Sequence, residues 1–322
     1  MNFRVISRAE ILSLITMPDA IEAMARGFAQ LSAGQVEMPV RVVLSSGDGF
    51  SLFMPARLGA TGGRGAKIAS LFPGNRDRGL ATINGVILMI DDENGLPAAI
   101  MNAGELTAIR TAAAAGLAAR LLSRPDCRVL TIFGAGAQAP WQIEAIRAVR
   151  PIEEVRVVSK GGESARRLTA SLEGVEARAL SDPAQAVDGA DIIVAVTTAC
   201  TPVFDGSGLP AGTHVSGSGS FQPHTREIGD EVVTRARVVV EEREAVLEEA
   251  GDLIIPIQEG LVTADLIDAD LGEIVNGDAP EGNAGRELTF FKSVGTAVQD
   301  VAIGAEVLRR AEEEGVGRVV GL

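Results

Sequence analysis

The feature that most constrains the fold is a glycine-rich turn near the middle of the chain. The apolar run Arg128-Val-Leu-Thr-Ile-Phe133 ends directly in Gly134-Ala-Gly-Ala-Gln-Ala139, and a segment with a helical pattern follows. A buried strand that passes through such a turn into a helix is typical of a dinucleotide-binding Rossmann fold, although a glycine turn without a ligand is the alternative. The first glycine allows the tight turn, and the second allows the close approach of a pyrophosphate. We therefore predict cofactor contacts at Gly134, Gly136, Ala137 and Gln138.

Beyond this turn, short apolar strands alternate with helical or loop segments. Six strands are predicted, at Val129–Phe133, Val155–Val158, Val175–Ala179, Ile192–Val196, His214–Gly217 and Val238–Val240. This alternation predicts an α/β domain with a doubly wound parallel sheet, the Rossmann arrangement, over residues 123–300. We also assign Thr197, which follows the fourth strand, to the cofactor site.

The N-terminal part has a different pattern. Ser7-Arg-Ala-Glu10 is a capping box, and residues 17–31 repeat apolar side chains at helical spacing, so two helices are predicted. Strand patterns follow at residues 40–44, 50–56, 65–75, 82–91 and 97–102, with a hairpin turn at Asp92-Glu-Asn-Gly95. Residues 1–122 should form an α+β domain with a mostly antiparallel sheet, and the helical tail, residues 301–322, should return to it.

Composition and charge argue against several classes of protein. The formal net charge is −14 and no cluster of Lys or Arg is visible, so we expect neither nucleic acid nor an anionic membrane as a partner. Cys127 and Cys200 fit neither a disulfide framework nor a zinc pattern, and two histidines are too few for a metal cluster. No signal pattern is visible, and no apolar run reaches the ~18 residues of a membrane span, so a cytoplasmic protein without a metal is expected. The acidic run at residues 241–249 is interpreted as a solvated helix face.

The end of the second Rossmann strand bears on the choice of cofactor. NAD sites usually carry Asp or Glu about twenty residues past the glycines, where the acid binds the ribose 2′-OH, and NADP sites avoid that charge. Here the strand ends in Ser159 and Lys160, a hydroxyl and a cation. We therefore predict a 2′-phosphate pocket at these two residues and NADP as the cofactor. NAD is the alternative, with Glu163 or another acid in that role.

Three cations stand in otherwise apolar or small-residue segments of the N-terminal part: Arg41, Lys67 and Arg110. A single strand arginine is usually solvated, and a single lysine usually extends its ammonium to water. Together, however, the three can clamp one carboxylate, because arginine offers a planar fork and lysine a tunable ammonium. We predict that Lys67 and Arg110 are catalytic, with Lys67 as the acid, base or imine-polarising group. Met54 is assigned to the same substrate site.

Four separated motifs resemble one known family. They are Lys67-Ile-Ala-Ser-Leu-Phe-Pro-Gly-Asn75, Leu106-Thr-Ala-Ile-Arg-Thr-Ala112, Gly134-Ala-Gly-Ala-Gln138 and Phe291-Lys-Ser-Val-Gly-Thr-Ala-Val-Gln-Asp300. Over nearly its whole length, the chain is similar to the ornithine cyclodeaminase/μ-crystallin family. The resemblance implies a homodimer whose N-terminal part and C-terminal helix form the substrate and dimerisation domain, with a Rossmann domain between them. It also implies carboxylate binding at Arg41, Lys67 and Arg110, and further cofactor contacts at Thr82, Ser293, Val294 and Gly295.

One position departs from the pattern of ornithine cyclodeaminases. Those enzymes carry a catalytic aspartate in a Gly-Ala-Asp-x-Pro segment, whereas the matching stretch here is Gly219-Ser-Phe221-Gln-Pro223. Phe221 cannot accept a proton, so the chain is more similar to family members that reduce cyclic ketimines or oxidise amino acids.

The resemblance and the residues together predict an NAD(P)H-dependent reductase of cyclic imino acids. It would convert Δ1-pyrroline-2-carboxylate or Δ1-piperideine-2-carboxylate to L-proline or L-pipecolate. Three alternatives stay open: an alanine or other amino-acid dehydrogenase, an ornithine cyclodeaminase with a displaced acid such as Glu227 or Asp230, and a non-catalytic NADPH-dependent binding protein. The ring size and the physiological direction also stay open.

Overall fold

The chain forms two compact units in a computed structural model that describes residues 2–60 and 62–321. The first unit extends to Arg110 and resumes at Thr296, and the second comprises Thr111–Gly295. The sequence predicted the changes of domain near residues 122 and 300. The first change of unit lies inside a continuous helix, at a point where no sequence signal interrupts the helical pattern.

The first unit is built on a mixed sheet of eight strands. They are β1 Asn2–Ile6, β2 Val36–Glu37, β3 Val42–Ser46, β4 Gly49–Leu58, β5 Arg64–Leu71, β6 Ile83–Ile90, β7 Pro97–Asn102 and β16 Arg318–Gly321. The order is β16-β1-β7-β6-β5-β4-β2, with β3 paired to β4. Only the β1–β7 pair is parallel among the described pairs, which agrees with the predicted, mostly antiparallel sheet. β1 and β16 were not predicted, because both are short, half-exposed segments at the chain ends without a clear apolar alternation.

Helices α1 Arg8–Leu14, α2 Met17–Ser32 and α11 Ala297–Glu313 belong to this unit, and α3 Ala103–Leu122 begins in it. The predicted capping box is present: the Ser7 side chain accepts from the Glu10 N–H, and the Glu10 carboxylate accepts from the Ser7 N–H. α11 packs against α2 and across β4, β5 and β6, which brings the first turn of α11 onto the middle of the sheet. None of the described helices combines the length and the apolar character that a membrane span requires.

The second unit is a parallel sheet of eight strands. They are β8 Val129–Phe133, β9 Glu154–Val158, β10 Glu176–Leu180, β11 Ile192–Ala195, β12 His214–Gly217, β13 Ala236–Val240, β14 Ile267–Asp270 and β15 Leu288–Lys292. The order is β10-β9-β8-β11-β12-β15-β13-β14, and every described pair is parallel. The helices of this unit are α4 Ala139–Val149, α5 Glu163–Ala170, α6 Pro183–Val187, α7 Asp230–Arg235, α8 Arg243–Glu249, α9 Gly251–Gln258 and α10 Leu271–Asn276.

This sheet confirms the predicted fold class of α/β with a doubly wound parallel sheet. Its core is mainly aliphatic and includes Val155, Ile193 and Val239, all completely buried, together with the stacked rings of Phe133 and Phe204. The six predicted strands are present: β8 and β12 have the predicted ends, and each of the other four is shifted by one or two residues at one or both ends. β14 and β15 were not predicted as strands; β14 alternates isoleucine and alanine with two aspartates, so its sequence resembles a solvated segment.

Candidate functional site

A buried cluster of charge lies at the centre of the first unit. Lys67 lies on β5, where Met54 of β4 stands opposite it in the sheet register, and Arg110 lies in α3. Both side chains bind the carboxylate of Asp300, which is in the first turn of α11. Lys67 Nζ is 2.7 Å from Asp300 Oδ2, and Arg110 Nε is 3.1 Å from Asp300 Oδ1. Sheet, helix α3 and helix α11 therefore each contribute one member of the cluster.

The electrostatics of this cluster favour an anion. Lys67, Arg110 and Asp300 are all buried, and with Lys67 protonated they carry a net charge of +1 (two cations and one anion). Burial lowers the pKa of Lys67 to about 8; Asp300 acts to raise it, while Arg110 and Arg41 lower it further. The half-buried Arg41 thus lies close enough to Lys67 to influence its charge. The ammonium of Lys67 gives up its proton more readily than that of a solvated lysine.

The predicted cofactor residues of the second unit share one edge of the sheet. Each group directly follows a strand or lies within two residues of its end: Gly134, Gly136, Ala137 and Gln138 after β8, Ser159 and Lys160 after β9, Thr197 after β11, and Ser293, Val294 and Gly295 after β15. Because these strands are all parallel, their carboxyl ends meet at the same edge, which is where open α/β sheets bind ligands. Thr82 is separate from this group, since it precedes β6 in the first unit and its carbonyl accepts from the Phe72 N–H.

The geometry of the glycine turn fits a dinucleotide. Gly134 has a φ of 103°, and a Cβ atom there would lie 2.4 Å from the Val196 carbonyl oxygen, so only glycine suits the position. Gly136 is exposed, and a Cβ atom on it would have no described heavy atom within 4 Å. Two buried polar atoms at this edge, Gln138 Oε1 and Ser218 Oγ, have no hydrogen-bond partner among the described residues. The turn and the start of α4 could thus hold the pyrophosphate of a nicotinamide dinucleotide.

The segment after β9 presents hydroxyls and cations. Ser159 Oγ accepts from Ser164 Oγ at 2.9 Å and from the Ala165 N–H at 3.1 Å, which ties the end of β9 to the start of α5. Lys160 is exposed. Arg166 Nη1 lies 3.3 Å from the position that a Cβ atom on Gly162 would occupy, so its guanidinium lies over this loop.

Comparison with known sequences identifies the family. Residues 2–315 match the profile of the ornithine cyclodeaminase/mu-crystallin family. The chain belongs to this family. A Δ1-pyrroline-2-carboxylate reductase of Bacillus cereus is 38% identical over 98% of this chain and 99% of its own length.

Solved structures of related proteins have the same fold. The Δ1-pyrroline-2-carboxylate reductase of Thermococcus litoralis, in complex with NADH and L-proline, is 35% identical with a TM-score of 0.93, over 98% of this chain and 99% of the other. An archaeal alanine dehydrogenase dimer with bound NAD is 30% identical with a TM-score of 0.93, over the full length of both chains.

Phe221, which departs from the pattern of ornithine cyclodeaminases, lies in the loop that follows β12. Its side chain is 39% exposed, as are large parts of the neighbouring Gln222, Pro223 and His224. The acids that could replace a cyclodeaminase aspartate are both engaged: Glu227 accepts three backbone N–H bonds, and Asp230 pairs with Arg226. His214, which carried no predicted role, is buried between Thr289 and Ser216, and burial lowers its pKa to about 3.

The interpretation of residues 241–249 as a solvated helix face was wrong for its first residue. Glu241 lies before α8 and is only 1% exposed. Its carboxylate accepts from Ser293 Oγ and the Val294 N–H, each at 2.7 Å, and from the Gly295 N–H at 2.5 Å. Because β13 and β15 are neighbours, the acid at the end of one strand reaches the turn at the end of the other. No local sequence signal marks this long-range pairing.

Asp300 was also missed as a site residue. It stands in a matched motif, but its sequence context is an amphipathic helix in which an aspartate is most simply a solvated residue. Two sequence features could have singled it out: apolar residues stand close to it on both sides in the helical pattern, and the cations predicted at Lys67 and Arg110 would need a carboxylate if they were buried.

Proposed function

We propose that the protein is an NADPH-dependent reductase of cyclic imino acids, acting on Δ1-pyrroline-2-carboxylate or Δ1-piperideine-2-carboxylate. The observation that carries this proposal is the buried Lys67–Asp300–Arg110 cluster, in which two cations share one carboxylate. Its surplus positive charge suits the carboxylate of an imino acid, because hydrogen bonds from a guanidinium or an ammonium to a carboxylate are stronger than those from neutral donors. The reductases of Bacillus cereus and Thermococcus litoralis support the choice of substrate.

Lys67 is the proposed proton donor. Reduction of the imine adds a hydride to the C=N carbon and a proton to the nitrogen, so a donor poised near neutral pH is needed. The pKa of about 8 leaves Lys67 mostly protonated at pH 7 yet ready to release its proton. A bound nicotinamide supplies the hydride, and Arg110 together with Arg41 would orient the substrate through its carboxylate.

NADP is the proposed cofactor. Ser159, Lys160 and Arg166 place hydroxyl and cationic groups around the segment that follows β9, where a Rossmann fold reads the ribose 2′ position. The Thermococcus litoralis reductase is in complex with NADH and the archaeal alanine dehydrogenase has bound NAD, so the proposed 2′-phosphate preference rests on these three residues of this chain. Thr82, Thr197 and the turn Ser293–Gly295 are proposed as further cofactor contacts.

A homodimer is the proposed assembly, with the sheet of the first unit at its interface. Val42, Val43 and Leu44 follow one another on β3 and are each more than half exposed. Because successive strand side chains point to opposite faces, both faces of this strand are uncovered in the single chain. An exposed apolar surface of this kind is typical of a protein–protein contact, and the archaeal alanine dehydrogenase is a dimer.

The test is NADPH oxidation by the purified protein with a panel of substrates. We expect turnover with pyrroline-2-carboxylate or piperideine-2-carboxylate in the absence of ammonia. Turnover only with pyruvate and ammonia would identify an amino-acid dehydrogenase, which the similarity to the archaeal alanine dehydrogenase makes the second candidate. Ammonia release from L-ornithine would contradict the assignment, since Phe221 supplies no base. Tight ligand binding without NADPH oxidation across the panel would leave a binding protein.

A further inference from the structure

Three ionisable side chains of the second unit have no part in the proposed chemistry, and all three are completely buried: Glu227, Asp252 and Lys292. Lys292 lies on β15, Asp252 in the first turn of α9, and Glu227 in the loop after β12. Lys292 Nζ is 2.6 Å from Asp252 Oδ2. Burying a charge costs free energy unless the charge has a charged or hydrogen-bonding partner. The partners of these three side chains therefore identify the parts of the backbone that they hold in place.

The Glu227 carboxylate joins the ends of two neighbouring strands. Its Oε1 accepts from the Thr197 N–H at 2.5 Å, just after β11. Its Oε2 accepts from the N–H groups of Gly219 at 2.7 Å and Ser220 at 2.9 Å, just after β12. A Cβ atom on Gly219 would lie 2.4 Å from the backbone of Thr197, so the chain after β12 packs tightly against the chain after β11 here.

Asp252 and Lys292 hold the other side of the same loop. Asp252 Oδ1 accepts from the Glu227 N–H at 2.7 Å and from the Ile228 N–H at 2.9 Å. Lys292 Nζ donates to the Ser220 carbonyl oxygen at 2.7 Å. Lys292 of β15 therefore holds one end of the loop of residues 219–228 and Asp252 of α9 holds the other, while the segment that carries Phe221 is exposed.

We propose that Glu227 is a positioning residue that sets the separation between Thr197 and the Phe221 loop at the ligand-binding edge of the sheet. The proposal rests on the proposed reductase function for its kinetic consequences. A single carboxylate with three backbone donors fixes two loops without itself contacting a substrate. Hydride transfer is sensitive to such placement, because a displacement of about 1 Å at a reacting centre can cost about 10²-fold in rate.

The test compares Glu227→Gln with Glu231→Gln, an exposed residue four positions further on that makes a matched control. An amide nitrogen cannot accept, so the glutamine loses the bond to Thr197 or those to Gly219 and Ser220. We expect amide hydrogen exchange at Thr197, Gly219 and Ser220 to accelerate by about tenfold or more in Glu227→Gln only. We also expect its kcat with the imine to fall by about 10²-fold, with a larger isotope effect from deuterated NADPH.

Affinity for NADPH should change less than kcat, by about tenfold at most, because only the Thr197 contact moves while the glycine turn that binds the pyrophosphate is untouched. Quenching of Trp141, the only tryptophan and a residue of α4, reports this affinity. Two further variants serve if Glu227→Gln does not fold. Glu227→Asp keeps the charge but has a shorter side chain, and Gly219→Ala pushes the strand ends apart. Both should show the same loss of kcat.

Two results would overturn the proposal. One is wild-type exchange and kcat in Glu227→Asp and Gly219→Ala. The other is a lowered melting temperature with unchanged kcat and isotope effect, which would make Glu227 merely structural. If the wild-type protein reduces no imine, the proposed function fails by itself, and the exchange measurement still decides whether Glu227 holds the two loops.

Discussion

The two units hold their buried carboxylates in different ways. In the first unit, one buried carboxylate, Asp300, pairs with two cationic side chains, and these side chains leave a net positive charge. In the second, the buried carboxylates of Glu227 and Glu241 are surrounded by backbone N–H groups, and the dinucleotide site depends on a turn that needs glycine at Gly134. On the proposed function, the substrate carboxylate would be held by side-chain charge, while the pyrophosphate of the cofactor would be held mainly by the path of the backbone.

This contrast makes the effects of substitution separable. Removing a cation of the first unit should change steps that involve the substrate and leave dinucleotide binding intact. Adding a methyl group to the glycine turn of the second unit should do the reverse. A variant of either unit that impaired the substrate steps and dinucleotide binding to the same extent would contradict this comparison.

The largest effect is expected for Arg110→Met. Truncating one partner of a buried charged pair costs about 2–5 kcal/mol, so kcat/KM for the imino acid should fall by about 10³-fold. NADPH affinity, measured by Trp141 quenching, should stay within about twofold of wild type, because the substitution does not touch the glycine turn. A fall in kcat/KM of less than about tenfold would remove Arg110 from the carboxylate site.

The second prediction compares the two glycines of the turn. Gly136→Ala meets open space in the structure, so the melting temperature should be unchanged, while NADPH binding should weaken by about 10–100-fold because the pyrophosphate can no longer approach. Gly134→Ala should lower both the melting temperature and the affinity for NADPH, since the φ of Gly134 is positive and the added methyl group meets the Val196 carbonyl. Equal NADPH affinity of Gly136→Ala and wild type would contradict the proposed pyrophosphate site.

The third prediction concerns pH. If protonated Lys67 is the donor, kcat/KM is highest below its pKa and falls as the pH rises through about 8. Asp300→Asn removes the charge that raises this pKa, so the fall should move to lower pH. Lys67→Arg keeps its proton at all accessible pH values and should lack this alkaline fall in its residual activity. An unchanged profile in Asp300→Asn would mean that another group titrates.

The smallest effect is expected at the 2′ position of the ribose. Replacing Lys160 and Arg166 together by alanine should weaken NADPH binding by about tenfold and leave NADH binding unchanged, because only NADPH carries the phosphate. Arg167→Ala is the matched control, since Arg167 is exposed and pairs with Glu163. A wild-type protein that prefers NADH would refute the NADP assignment directly.

The sequence was sufficient where the signal is local. The strand, glycine turn and helix at residues 129–149 depend on consecutive residues, and the capping box at Ser7 depends on four. β14 was missed because its two aspartates mimic a solvated segment, although the strand lies against β13 in the sheet. The apolar residues of β14 are buried because β13 lies beside the strand, and the sequence of β14 alone does not show this.

Taken alone, the sequence determined the class of fold and the family, and it predicted the residues that bind a carboxylate and a dinucleotide, since each depends on short motifs in a fixed order. Tertiary structure decided how the charges are paired. Asp300 is 190 positions from Arg110, and Glu241 is 54 positions from Gly295, yet each pair is hydrogen-bonded. A buried charge needs a partner, and the partner is often far away in the sequence. The cluster around Asp300 and the contacts of Glu241 with the turn after β15 could therefore be found only from the tertiary structure.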